Sequence, residues 1–150
     1  MELPEEVRKR FRQWGRAGGH RRADRLSPAV RRAVARRAAT ARWIRHRFGE
    51  ASFERLGLPG GDTVDAGLAA LADGRTTPES LAVSVAAPRL RREGVPVGPV
   101  LEDPERRLFE WLSRTEGDLA HARYNAVLRR LVSFADACRS ARIDRKPRAT

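Results

Sequence analysis

The chain has 150 residues and a formal net charge of +12, with 41% hydrophobic and 33% charged residues. This length allows one modest core, and the charged fraction predicts about 80–100 core residues with basic extensions. The single cysteine, Cys138, excludes an internal disulfide framework and a cysteine-based zinc site. The N-terminus has no apolar signal core, and no stretch approaches about 18 uncharged apolar residues, so we expect a soluble cytoplasmic protein.

The positive charge is concentrated at the two ends of the chain. Residues 1–48 carry 15 basic and 4 acidic side chains, residues 49–128 carry 9 and 13, and residues 129–150 carry 7 and 2. An excess of this size on one segment is the electrostatic pattern of a protein that binds polyphosphate. The alternative interpretation is a solvated helix face in an arginine-rich protein, because 29 of the 31 basic residues are arginine.

Residues 1–26 are predicted to form a basic arm that contains one short helix. After Pro4 come two acidic residues and then basic ones, the order that the helix dipole favours. Gly15 and the pair Gly18 and Gly19 are expected to end this helix, because glycine is a poor helix former.

The strongest helix signature in the chain follows this arm. Ser27 is a typical N-cap, Pro28 takes the first helical position and Gly49 closes the far end. The predicted helix has about 21 residues and a length of roughly 30 Å. One apolar stripe, expected to face the core, steps along it by three or four residues: Val30, Val34, Ala38, Ala41, Ile44 and Phe48.

Two further helices and an extended linker are predicted in the acidic middle. Asp62 is expected to cap a helix that stops at Gly74. Thr77 opens the next helix, and Pro88 inside it is expected to kink it or split it in two. The segment 95–102 contains two prolines and a glycine, so we expect an extended linker whose valines and leucine pack against the core.

Two more capped helices complete the predicted fold. Asp103 caps a helix that Gly117 ends, and Asp118 caps the last and longest helix. The fold class is therefore all-α, with about six helices. The predicted organisation is the basic arm over 1–26, a single helical domain over 27–142 and a disordered tail over 143–150. The apolar face of the last helix is predicted to consist of Leu128, Leu131, Val132, Ala135 and Cys138.

The sequence holds no pattern typical of an enzyme or a metal site. His20, His46 and His121 have no partners at metal-ligand spacing, so we predict no catalytic residues, no metal and no cofactor. His121 and Tyr124 share a face of the last helix. A proton-transfer role for this pair is the alternative to packing, in which Tyr124 is a half-buried anchor.

Two tryptophans, Trp14 and Trp43, flank the basic block. A tryptophan beside arginines can stack on a nucleobase. Both residues lie at predicted helix ends, where indoles commonly close a small core, so packing is the favoured interpretation.

The segment GRAGGHRRADRLSPAVRRAVARRAATARW resembles a short basic element of many small bacterial and mobile-element proteins. The resemblance covers about a fifth of the chain and implies an antitoxin-like or regulatory protein. The element often has an acid after Ser-Pro, where this chain has Ala29, which weakens the helix start. The matching positions are Gly18, Gly19, Arg21, Leu26, Ser27, Pro28, Arg31, Val34, Ala35, Ala38, Ala41, Arg42 and Trp43.

These patterns predict a non-enzymatic DNA-binding regulatory protein, with an antitoxin or operon repressor as its most concrete form. A protein partner or a second copy is expected to bind through the last helix, and no membrane is involved. The alternative is an interaction subunit of a protein or ribonucleoprotein complex, because guanidinium pairs with the carboxylates of an acidic partner and with RNA phosphates alike. The predicted nucleic-acid-binding residues are Arg16, Arg21, Arg22, Arg25, Arg31, Arg32, Arg36, Arg42 and Arg45.

Overall fold

Helices make up nearly all of the architecture. The computed structural model describes residues 4–144, except for the side chains of Arg22, Ala23 and residues 142–144. Over these residues it contains six α-helices and no β-strand, which confirms the all-α prediction. None of these helices is long and apolar enough to cross a bilayer. They are α1 (Glu5–Arg25), α2 (Pro28–Phe48), α3 (Gly61–Ala72), α4 (Pro78–Arg92), α5 (Pro104–Glu116) and α6 (Ala120–Asp144), with a 3₁₀ turn (Gly117–Leu119) before α6.

The first helix is longer than the sequence predicts. α1 runs unbroken through Gly15, Gly18 and Gly19 to Arg25, so the expected short helix and glycine break are wrong. Each glycine costs a helix interior roughly 1 kcal/mol relative to alanine, which weakens a helix without forbidding it. The residues between the glycines, Arg16 and Ala17, are good helix formers.

Helix α4 begins as predicted but is not interrupted. Thr77 and Ser80 form a reciprocal capping box, with N–H to hydroxyl distances of 2.8 and 3.2 Å. Pro88 lies inside α4, which nevertheless continues to Arg92, so the predicted split is wrong. The helix packs against α3, α5 and α6, and this support offsets the backbone hydrogen bond that proline cannot make.

Two predicted aspartate caps are also wrong. The N-cap of α3 is Gly60, in the left-handed conformation at φ 75°, and Asp62 lies in the first turn. The Asp62 carboxylate instead accepts a 2.8 Å hydrogen bond from Arg130 on α6. Asp118 belongs to the 3₁₀ turn, and α6 starts at Ala120.

The core is built around a close contact between α3 and α4. Gly67 of α3 makes this contact possible, because a Cβ atom there would lie 2.5 Å from Val83 Cγ2 and 2.6 Å from the Glu79 carbonyl oxygen. Any side chain at this position would push the two helices apart. The sequence pattern alone does not reveal this requirement.

A chain of aromatic rings connects the end of α2 to α6. Phe53, in the turn after α2, is fully buried and packs edge-on against Phe134 of α6, with ring centroids 4.9 Å apart. Phe48 contacts Phe53 on the other side at 5.9 Å. The C-terminal end of α2 is therefore attached to the core through aromatic packing.

The linker over 95–102 packs largely as predicted. Val95 and Val97 are buried and Leu101 packs against the core, whereas Val100 is exposed, contrary to the prediction. The Ser84 hydroxyl of α4 accepts a 3.2 Å hydrogen bond from the Leu101 backbone N–H. This contact attaches the linker to the domain.

The last helix contributes most of its predicted apolar face to the core. Leu131, Ala135 and Cys138 are buried, but Val132 is 38% exposed and does not belong to that face. The helix continues to Asp144. The remainder of the predicted tail, from residue 145 onwards, lies outside the described residues.

Candidate nucleic-acid interface

The start and end of α2 are those predicted from the sequence. The Ser27 hydroxyl accepts a 3.3 Å hydrogen bond from the Val30 N–H, and Pro28 occupies the first turn. Gly49 ends the helix in the left-handed conformation at φ 84°, a geometry that glycine adopts without strain. The first turn contains no acidic residue, and basic residues fill the last turn.

Only the C-terminal half of α2 is attached to the core. Ile44 and Phe48 are 2% and 4% exposed, whereas Val30 and Val34 are 44% and 53% exposed. The prediction that the whole apolar stripe faces the core is therefore wrong for its first half. The two N-terminal turns of α2 display their side chains to solvent.

The five arginines predicted as binding residues on α2 are all exposed. Arg31 and Arg42 are eleven residues apart, about three helical turns, so they lie on the same side of α2. This side is turned away from Ile44, because Arg42 precedes Ile44 by two residues and two residues rotate by about 200° around the helix. Arg45 extends the same row. Arg32 and Arg36 lie to one side of it. None of the five forms an ion pair with another described residue.

The four predicted arginines of the N-terminal arm all lie on α1. Arg16, Arg21 and Arg25 are exposed, and Arg22 lies within the helix but its side chain is outside the described set. Phe11 and Trp14 are 57% and 65% exposed and contact each other edge-to-face at 5.9 Å. The prediction that Trp14 packs into a core is therefore wrong.

Trp43 does pack as predicted. It is partly buried, and its ring lies edge-to-face with Phe48 at 5.8 Å and with Phe53 at 6.4 Å. The Arg47 guanidinium lies over the Trp43 ring at 5.9 Å, in a cation–π arrangement. Arg47, which was not among the predicted binding residues, thus takes part in packing.

One arginine of the basic block connects α2 to α3. Arg37 forms an ion pair with Asp73 at the end of α3, and Arg75 pairs with the same carboxylate at 3.2 Å. Desolvation opposes ionisation of Asp73, but the hydrogen bonds from Arg37 and Arg75 outweigh it, and the pKa of Asp73 is lowered. Arg37, which is not in the predicted binding set, therefore connects α2 to α3 within the fold.

The space between α2, α3 and the linker forms an open cleft, here called the α2–α3 cleft. Its volume is about 330 Å³. The sequence pattern did not predict it, because its walls come from three segments that only the fold brings together. It is lined by Arg36, Ala39, Thr40 and Trp43 of α2, Leu68, Leu71 and Ala72 of α3, and Pro96, Gly98 and Pro99 of the linker.

His121 and Tyr124 lie beside an aromatic side chain of α5. Phe109 contacts the His121 ring at 6.5 Å and the Tyr124 ring at 6.0 Å. Tyr124 is partly buried, and desolvation, with the nearby charge of Glu105, raises the pKa of its hydroxyl. The surroundings of this pair are those expected for packing. Among the described residues, no group of three or more metal-ligating side chains is close enough to hold an ion.

No protein-family model, curated protein or solved structure matches this chain. The features of the molecule that bear on its function are therefore the geometry and charge of α1, α2 and the surfaces beside them.

Proposed function

We propose that this protein binds nucleic acid, with DNA as the favoured target, through phosphate contacts from α1 and α2. The observation that supports the proposal is a contrast in how arginines are used. Every predicted binding arginine with a described side chain is exposed and outside any ion pair among the described residues. Of the twelve arginines from Arg55 to Arg139, six are paired with acids: Arg75 with Asp73, Arg89 with Asp136, Arg106 with Asp103 and Glu110, Arg123 with Glu116, Arg130 with Asp62, and Arg139 with Glu93.

Charge that is not neutralised within the chain favours an anionic partner. Like charges held on one helix repel one another, and binding to a polyanion relieves this repulsion. Duplex DNA presents one phosphate charge per roughly 1.7 Å of axis, so a helix about 30 Å long can meet several of them.

The side of α2 turned away from the core suits close contact with a nucleic-acid backbone. Ala35 and Ala38 lie between Arg31 and Arg42 on this side, and all four are exposed. Small side chains between arginines allow phosphates to approach the helix while guanidinium groups bind on either side. An α-helix also fits the major groove of B-DNA, which is roughly 12 Å wide.

The proposed biological role is regulatory and non-enzymatic, with an operon repressor or antitoxin as its most concrete form. This part of the proposal rests on the resemblance of the basic element, which is an analogy. A protein partner or second copy belongs to the same proposal. Most of the apolar face of α6 is buried in the core. The apolar side chains that remain accessible to such a partner lie on α5, in the turn after it and on α6: Phe109, Trp111, Leu119 and Val132.

Replacing Arg31, Arg42 and Arg45 with alanine tests the proposal directly. We expect affinity for a DNA duplex to fall by about a hundredfold or more at 100 mM salt, since each lost phosphate contact weakens binding several-fold. Helicity should be unchanged, because alanine is the better helix former. Fluorescence anisotropy with a labelled duplex measures the first effect and circular dichroism the second.

The matched control removes the same charge from another part of the surface. Arg55, Arg92 and Arg129 are exposed and lie outside α1 and α2. Their triple replacement by alanine should weaken duplex binding only about threefold, through the smaller net charge. Equal losses for the two triple variants would show that binding follows net charge alone and would refute a specific role for α2.

A further inference from the structure

The α2–α3 cleft lies beside the arginines assigned to phosphate binding, on the same helix. We propose that this cleft binds one unpaired nucleotide, with the base in the cleft and its phosphate at Arg36. A nucleotide within a strand and a free mononucleotide present the same chemistry. The strand form of the inference rests on the nucleic-acid-binding function proposed above.

The lining of the cleft suits a flat, largely apolar ring. Its volume of about 330 Å³ lies at the small end of the range for ligand pockets, roughly 300–1,000 Å³. Leu68 and Leu71 are side chains of the core that reach the cleft surface, Trp43 adds a flat aromatic ring to its walls, and Pro96 and Pro99 add apolar contact surface. A base stacks favourably on such surfaces whatever its identity.

Charge at the rim favours an anion. Arg36 is exposed, lines the cleft and has no ion-pair partner among the described residues. Asp73 follows Ala72, a residue that lines the cleft, so its carboxylate is an acidic group at the cleft edge. This carboxylate is already paired with both Arg37 and Arg75. An acid that is shared by two arginines leaves this rim positively charged.

An apolar cleft with a positively charged rim favours a ligand that has both an apolar group and an anionic group. A purely apolar side chain from a partner protein would fill the cleft but would leave Arg36 without a counter-charge. A nucleotide satisfies both features, because it joins a planar ring to a phosphate. The Thr40 hydroxyl, which also lines the cleft, can donate to or accept from a base edge.

The test compares two DNA hairpins that differ only by one unpaired adenine in the stem, together with adenosine monophosphate as a separate ligand. We expect the wild-type protein to bind the bulged hairpin about five- to 150-fold more tightly than the paired one, the range for one stacked base. Ala39→Leu, which fills the cleft from an exposed helix position, should reduce the two affinities to the same value. Ala66→Leu is the matched control, since Ala66 is exposed on α3 outside the cleft, and it should keep the wild-type preference.

The outcomes separate this inference from the proposed function. Equal wild-type affinity for the two hairpins, without binding of the monophosphate, would overturn the cleft site and leave the proposed function standing. A preference that survives Ala39→Leu would overturn the cleft site as well. Binding of the monophosphate that Ala39→Leu abolishes, in a protein that binds neither hairpin, would support the cleft and refute the proposed function. Thermal melting of each variant verifies that it is folded.

Discussion

Deletion of residues 1–26 is expected to leave a folded helical domain that has lost most of its affinity for nucleic acid. The large exposed rings of α1, Phe11 and Trp14, contact each other and are not part of the core. The truncated chain begins at Ser27, so the N-cap of α2 is preserved. The deletion removes eight basic residues, and we expect a loss of about a hundredfold or more in duplex affinity at 100 mM salt.

Two measurements on the truncated protein decide the result. Thermal melting followed by circular dichroism should give a melting temperature within a few degrees of the full chain, because few buried contacts are lost. Anisotropy with a labelled duplex should show the loss of affinity. A truncated protein that is unfolded would mean that α1 belongs to the core and that its charge is a solvated surface. A stable truncated protein with full affinity would exclude α1 from the interface.

Leu131→Asp is expected to have the largest effect on stability. Leu131 lies on α6, is 2% exposed and belongs to the hydrophobic core of the domain. The exchange leaves a cavity and buries a carboxyl group without a designed partner, which together cost roughly 3–5 kcal/mol. Small domains have only about 5–15 kcal/mol of stability in total, so the melting temperature should fall by about 10 °C or more.

Val132→Asp is the matched control for this prediction. Val132 is the next residue on the same helix but is 38% exposed, so the new carboxylate remains hydrated and the expected cost is below about 1 kcal/mol. Thermal unfolding of the two variants side by side measures the difference. If Leu131→Asp melts with the wild-type protein, the packing of α6 described above is wrong.

Local capping signals predicted several helix limits correctly. Ser27, Gly49 and Thr77 act as their residue types indicate, because a cap depends on neighbours within four residues along the chain. Asp62 and Asp118 are also typical N-cap residues, yet the N-cap of α3 is Gly60 and the N-cap of the 3₁₀ turn is Glu116. Where several nearby residues could cap a helix, the tertiary fold determines where the helix begins.

Features that depend on tertiary contacts could not be predicted from the sequence. Val34 and Ile44 belong to the same apolar stripe of α2, in which residues recur every three or four positions. Only Ile44 is buried, because only the C-terminal half of α2 packs against the core. Phe53 lies in a turn and therefore has no helical period to reveal that it is buried. The α2–α3 cleft depends on where the linker returns to α2, as with Pro96.

The predicted binding arginines were selected from charge density alone, and those whose side chains are described are exposed. The predicted set includes Arg36 and omits its neighbour Arg37, which pairs with Asp73, but charge density supplies no reason for that choice. That distinction requires knowing which acidic residue the fold brings to the helix. The sequence therefore identifies the basic block, and the structure shows that Arg37 is paired within the fold whereas Arg36 is in no ion pair among the described residues.

The salt dependence of duplex binding by the 150-residue protein is the sharpest test of phosphate binding by α1 and α2. If α1 and α2 together contact six or more phosphates, affinity should fall about a thousandfold or more between roughly 50 and 200 mM salt, because each contact releases counterions from the duplex. The logarithm of the affinity should then decrease linearly with the logarithm of the salt concentration. Absence of duplex binding at low salt, or an affinity that changes less than about tenfold over this range, would contradict phosphate binding by the basic helices.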